Sequence, residues 1–334
     1  MAGIDVFSGD AFSTFELTSA LDNVPFVPGS LGALGIFEER PVRTETVAVE
    51  RRNNRLAVIQ TTPRGAPLPQ ATKDPRNLRD FRTVRVAKGD RITASELQNI
   101  RAFGSSTELQ QVQDEVMRRM TSLRRDGELT HENMRLGAVR GVVTDADGSV
   151  MRDWFQEWGI TKPSIVSFGL ANDKAGIRAT CNKLARTVAK ACGSSFTQQS
   201  SVRALVGDNF WDALTTHAEV EKTYLNYQAA AELRGGTAWG RFEFGGISWE
   251  NYRGTDDGEV GISPNEVQFF PVNAGAFEVA RSPGESFDWV NTPGLPWYAI
   301  QVPDKDRNSF VDIEMYSYPL YICSVPQALL RGKM

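Results

Sequence analysis

Histidine and cysteine are scarce: in 334 residues there are two histidines, His131 and His217, and three cysteines, Cys181, Cys192 and Cys323. Three cysteines with no Cys-x-x-Cys pair make no disulfide framework, and they read as reduced, buried thiols. Long apolar runs are missing too. No stretch approaches the roughly eighteen uninterrupted apolar residues of a transmembrane helix. The segment Met1 to Asp10 lacks a basic region followed by an apolar run, so no secretory signal is expected and cytoplasmic synthesis is the default. A formal net charge of −4 is too small to argue for any partner.

Reactive constellations are equally thin. His131-Glu132-Asn133-Met134-Arg135 resembles the start of a zinc protease motif but lacks the second histidine four residues on. His131 is therefore expected on the solvent side of a helix. Asp145, Asp147 and Gly148 lack the later oxygen ligands of a calcium loop, and a hairpin turn accounts for them. Gly29 to Gly35 is glycine-rich but carries no Lys-Ser/Thr, so it is no phosphate cradle. Cys181 and Cys192 fall in an amphipathic helix as small fillers. No cofactor or metal is expected, and a thiol-dependent hydrolase is the weakest of the readings.

What is present is an uneven distribution of charge. Residues 1–39 carry six acids and no Lys or Arg, residues 40–93 thirteen basic residues against five acids, and residues 204–334 eighteen acids against nine basic residues. The basic stretch reads as a solvated loop, or as an arm meeting an acidic surface on a neighbouring copy. A nucleic-acid footprint is a third reading, but Phe81 is its only aromatic residue, so the stacking platform of single-strand binders is absent.

Residues 1–45 read as an extended arm. Val24-Pro25-Phe26-Val27-Pro28-Gly29 prevents a regular element, and Phe7, Phe12, Phe15, Phe26 and Phe37 need burial against the body or another subunit. Residues 46–93 read as a long two-stranded excursion. Its β-prone runs are Thr46 to Glu50 and Leu56 to Thr62, with a turn at Arg51 to Asn54, a proline-rich stretch at Pro63 to Pro69 and a returning strand at Asp80 to Ala87. It has no long apolar face and must lean on a neighbour.

A short helix at Ser95 to Phe103 precedes the clearest one. Ser105 and Glu108 offer a capping box, and Leu109, Val112, Val116, Met120 and Leu123 mark one helical face. That helix is expected to end near Arg125-Asp126-Gly127, with a second from Thr130 to Val139 closed by Gly141. An Asp-Gly hairpin follows at Val142 to Val150, and then a strand at Pro163 to Phe168. Next come a helix at Ala175 to Cys192, a strand at Val202 to Val206, a short helix at Asn209 to Thr216 and a helical or irregular stretch at Glu219 to Glu232. Strands are expected at Trp239 to Phe244, Ile247 to Tyr252, Glu266 to Pro271 and Ser309 to Ser317. Strands and helices without βαβ regularity indicate an α+β fold.

Four stretches carry a resemblance: Phe37 to Val47, Arg82 to Gln98, Phe242 to Gly254 and Met315 to Tyr321. With the order of elements, they resemble the lambda-like major capsid protein E family of tailed phages, which has the Hong Kong 97-type fold. The resemblance spans roughly residues 35–325 and rests on no single motif. It implies an N-terminal arm (1–45), an extended loop (46–93), a peripheral domain with a spine helix (94–171), an axial domain (172–300) and a C-terminal β return (301–334). It also implies hexamers and pentamers tiling an icosahedral shell around double-stranded DNA, without sequence-specific binding and without a membrane. A separate scaffolding protein, a portal and a decoration protein are the implied partners, with assembly in the host cytoplasm and the virion as destination. The alternative is another phage structural protein forming rings or tubes. Inter-subunit contacts are expected at Arg51, Arg52, Arg55, Arg64, Arg76, Arg79, Arg82 and Arg85, and at Phe12, Phe15, Phe26 and Phe37.

Overall fold

The computed structural model describes residues 30–51, 77–99, 108–225, 240–255, 260–307 and 309–334. It begins with a short helix α1 (Ser30–Leu34) and strands β1 (Glu38–Pro41), β2 (Thr46–Arg51), β3 (Asn77–Arg82) and β4 (Val86–Thr93). After α2 (Ala94–Asn99) comes the longest element, α3 (Glu108–Arg140). The Asp-Gly hairpin forms as read, from β5 (Val142–Thr144) and β6 (Val150–Asp153), with Gly148 at a φ of 80° that a side chain would strain.

The chain continues through α4 (Trp154–Glu157), β7 (Val166–Ser167), α5 (Ile177–Cys192), β8 (Ser201–Val206), α6 (Asp208–Thr215) and α7 (Ala218–Leu225). Strands β9 (Arg241–Phe244), β10 (Ile247–Asn251), β11 (Glu266–Val272) and β12 (Phe277–Arg281) follow. The last elements are β13 (Tyr298–Pro303), β14 (Phe310–Ser317), β15 (Pro319–Cys323) and β16 (Leu330–Lys333).

One six-stranded sheet, in the order β7-β16-β11-β8-β10-β9, and two three-stranded sheets, β13-β14-β4 and β1-β12-β15, organise these pieces. The pairs β2-β3 and β5-β6 lie apart from them in the ladder. The six-stranded sheet buries an aromatic core in which Phe210, Trp249 and Phe269 are fully enclosed, and α5 covers it with Ile177, Cys181, Leu184 and Val188. That helix face matches the apolar spacing of the sequence, and both of its cysteines serve as fillers.

Helix α3 packs its Val116, Met120 and Leu123 face on Val311, Ile313 and Met315 of β14, in the sheet β13-β14-β4, and on Trp297 just before β13. Here the expected break at Gly127 is overturned: α3 runs through it without interruption. A β-carbon at Gly127 would lie 2.4 Å from the Trp297 ring and 2.8 Å from the Met315 methyl. Glycine is required there by close approach of helix to sheet, and the flanking helix formers outweigh its intrinsic cost of about 1 kcal/mol. Gly127→Ala is accordingly expected to destabilise the subunit by about 1–3 kcal/mol through overpacking, read from chemical denaturation midpoints. A gain of stability, as for a simple exposed helix glycine, would contradict this packing.

The returning strand also differs. Residues 77–82 pair with β2, whereas residues 86–93 leave for β14, so one expected strand is two in different sheets. Thr83 and Val84 bridge them through Thr83 N–H to Glu45 O and Val84 N–H to Pro319 O. Leu56 to Thr62, Ser105 of the expected cap, the end of the short helix after Asn99 and the stretch beyond Leu225 up to Trp239 lie outside the described residues.

Candidate assembly surface

The excursion is rooted where β2 and β3 pair from Thr46↔Arg82 to Arg51↔Asn77. Alternation places Val47, Val49 and Phe81 inward, and Phe81 packs edge-on against Trp154 and Trp158 at 5.2 and 6.0 Å. The root is therefore fastened to α4 by aromatic burial, and its basic residues are left on the outside.

Those basic residues divide. Arg79 bonds Glu157 at 3.3 Å. Arg85 lies 3.5 Å from Glu285, with its guanidinium over the Tyr316 ring at 5.0 Å. Both are thus already paired within the subunit. Arg82 is exposed and makes no ion pair among the described residues. Arg51 is placed as a strand residue at the ladder's end. Arg52, Arg55, Arg64, Arg76, Phe12, Phe15 and Phe26 lie outside the described residues. Phe37 packs inside its own subunit, 5.3 Å from Phe277 and 5.2 Å from Tyr321.

A charged lattice braces the outer side of α3. Arg119 reaches Glu115, Asp90 and Glu96, tying the helix to β4 and α2. Hydrogen bonds from Arg118 and then Arg119 hold the Glu115 carboxyl at about 2, well below the usual carboxylate range. Arg91 makes a two-pronged bond to Asp312, at 2.7 and 2.9 Å, and lies over the Phe310 ring at 3.7 Å. Such a planar fork fixes the register of β4 on β14.

Deeper in, the expectation for His131 fails. Its ring is 1% exposed, bonds the Tyr321 hydroxyl at 2.7 Å and lies 4.5 Å from the Trp297 ring. The apolar residues on either side of it belong to two faces of α3 that serve different sheets, so the ring falls between them, where both cover it. Burial, with Arg281, Arg135 and Arg124 nearby, drives its pKa well below the ordinary value. The folded chain then stays neutral at His131 while the unfolded chain takes up a proton below about pH 6.5. Stability should be unaffected by this group above that pH and fall by about 1.4 kcal/mol per unit beneath it. His131→Gln is expected to flatten that slope between pH 6.5 and 5.5, and identical slopes would exclude His131 as its source.

The surface also bears apolar groups that the sequence reading passed over. Phe287 is 97% exposed and Val290 65% exposed, on the loop between β12 and β13. Their signal was in the sequence: an aromatic and a valine bracketed by Pro283 and Pro293 are held in a loop rather than a core strand.

Burial pushes the thiols of Cys181 and Cys323 up to about 12 and that of Cys192 to about 11, away from thiolate chemistry. Among the described residues no His/Cys/Asp/Glu group is placed to hold a metal, and no helix is long and apolar enough to cross a membrane.

The family model described as phage major capsid protein E matches residues 13–334. The major capsid protein of Salmonella phage Felix O1 is 25% identical, with 96% of this chain and 95% of that protein covered. That of Pseudomonas phage KPP10 is 26% identical over 96% and 97%. Among solved structures, the mature capsid of bacteriophage PhiM1 superposes with a TM-score of 0.53 at 7% identity, covering 92% of this chain and 88% of that one.

Proposed function

Because this chain belongs to the phage major capsid protein E family, and is a structural shell protein of Hong Kong 97-type fold and not an enzyme, we propose that it closes an icosahedral head as hexamers and pentamers around double-stranded DNA. The family match over residues 13–334 carries the reading, and no relative points to a ring or tube of the tail. The domain boundaries drawn from the sequence belong to the same proposal. The root of the excursion is fixed by Phe81 and the helix is braced by Arg119, so the described ends of the excursion, at Arg51 and Asn77, sit on a stiff base.

In this reading Arg82 and the arginines further out on the excursion meet acidic surface on the next copy, while Arg79 and Arg85 hold the base in place. Each exposed pair is worth about 0–1 kcal/mol, so their value lies in register and in rejecting wrong contacts. A separate scaffolding protein, a portal and a decoration protein complete the proposed set of partners, with assembly in the host cytoplasm.

Negative-stain microscopy of the chain expressed alone and with its scaffolding protein tests the proposal. Closed particles, or capsomers that close when scaffold is added, are expected. A monomer in both samples would overturn it. Arg82→Glu is expected to leave the subunit's thermal midpoint unchanged while reducing the yield of closed particles, which separates a contact between copies from a structural role.

A further inference from the structure

Between β12 and β13 the chain presents an aromatic side chain that its own body does not cover. The loop that carries it is built, not slack. Trp289 packs into a small cluster with Tyr298 and Tyr318, its ring 5.1 Å from that of Tyr298. Thr292 Oγ1 donates to Trp289 O at 2.7 Å, Leu295 N–H to the Tyr298 hydroxyl at 2.7 Å and Gly294 N–H to Val42 O at 2.9 Å. On this frame the single helical turn Phe287–Trp289 holds Phe287 almost wholly in solvent, with Val290 exposed beside it. A loop already fixed in this way loses little freedom when a partner covers it.

Charge narrows the choice of partner. From Ser282 to Asp304 there is no basic residue; Glu285 is paired with Arg85, and Asp288 makes no ion pair among the described residues. A ring followed by a free carboxylate is a receptor for a guanidinium, and the chain uses that chemistry twice already. Arg91 lies over Phe310 and bonds Asp312, and Arg85 lies over Tyr316 beside Glu285. Arg43 and Arg82 are exposed and make no ion pair among the described residues. They stand near the foot of the loop, where Ser282 Oγ donates to Thr44 O at 2.7 Å and Thr83 Oγ1 donates to Ser282 Oγ at 3.0 Å. An acidic aromatic patch and a basic one thus lie side by side, unpaired within the copy. Two copies facing each other satisfy both at once.

We propose that loop 285–292 is a contact between copies, in which Phe287 and Asp288 of one copy receive Arg82 of a second, with Arg43 alongside and Val290 covered. The inference rests on the shell reading above and names the acidic surface that Arg82 meets. A second copy is favoured over a different protein because the complementary groups stand on this same chain.

The test mixes two preparations of the full chain under assembly conditions, one carrying Asp288→Cys and the other Arg82→Cys, the native thiols being buried. Mild oxidation is expected to give a reducible band of two chains in the mixture and little in either preparation alone. No such band, while the parent chain closes particles, would overturn the contact and leave the shell reading standing. A parent chain that stays monomeric with its scaffolding protein would overturn both. A second measurement does not depend on disulfide geometry. Phe287→Ser is expected to lower the yield of closed particles by about tenfold at an unchanged subunit midpoint, the factor that truncating a central aromatic costs an interface. Asp288→Arg should lower the yield as well, and combining it with Arg82→Glu should restore part of it. Parental yield from Phe287→Ser, or no recovery in the double variant, would overturn the contact.

Discussion

Replacing Glu132 by alanine is expected to cost about 3–5 kcal/mol and to lower the thermal midpoint of the subunit by roughly 5–15 °C. Glu132 is 4% exposed, yet its carboxylate has four partners. Oε1 accepts from Leu31 N–H at 2.8 Å and from the Tyr252 hydroxyl at 3.2 Å, while Oε2 accepts from Gly32 N–H at 3.1 Å and from Arg135 at 3.3 Å. One side chain on α3 thus holds the start of α1, the end of the β10 segment and its own neighbour one turn on.

Alanine would leave two backbone donors without partners and Arg135 with only Glu128, at 3.5 Å. Orphaned buried groups carry most of the loss, because water cannot reach them. Glu132→Gln should fall between, since its amide keeps one acceptor but turns a donor toward a second donor. Scanning fluorimetry of dissociated subunits reads both. A midpoint within about 1 °C of the parent for Glu132→Ala would mean that the network contributes little beyond solvation.

The second large effect belongs to Trp249 in the six-stranded sheet. Its indole is fully enclosed, its Nε1 donates to Phe244 O at 3.1 Å, and Phe269 and Phe168 meet it edge-on at 5.4 and 5.9 Å. Trp249→Ala empties the middle of this aromatic cluster, and a loss of about 3–5 kcal/mol is expected from transfer and cavity together. Trp249→Phe keeps most of the volume and should cost less. The two variants, compared by denaturant midpoint and by particle yield, separate packing from the hydrogen bond. Equal losses would place the weight on the Nε1 bond, contrary to the packing argument.

How far the sequence could be read depends on which contacts set each element. The Asp145–Gly148 turn, the α5 face from Ile177 to Val188 and strands β8, β10 and β14 were legible because local pattern and tertiary environment agree in each. Gly127 was misread because its reason is Trp297, far along the chain. His131 was misread because a polar ring on an otherwise charged helix gives no sign that Tyr321 will cap it.

β12, β13 and β16 were passed over for a related reason. β12 and β13 are set by their pairing with β15 and β14, and β16, only four residues long, pairs with distant partners, parallel to β7 and antiparallel to β11. Of the surface itself, the basic excursion stood out from composition alone. Its division into Arg79 and Arg85, held at home, and Arg82, left outward, depends on Glu157 and Glu285, which no spacing rule connects to them.

The position of β16 has a consequence for timing. Val166 of β7 pairs with Gly332 of β16, and β16 in turn lies against β11 from Phe269↔Leu330 to Glu266↔Lys333. While the chain is being translated, β7 has no neighbour and β11 keeps an open edge until residues 330–333 leave the ribosome. Pairings of such long sequence separation form late and slowly. A copy stopped by premature termination before Leu330 would keep that open edge, a template for pairing with another chain.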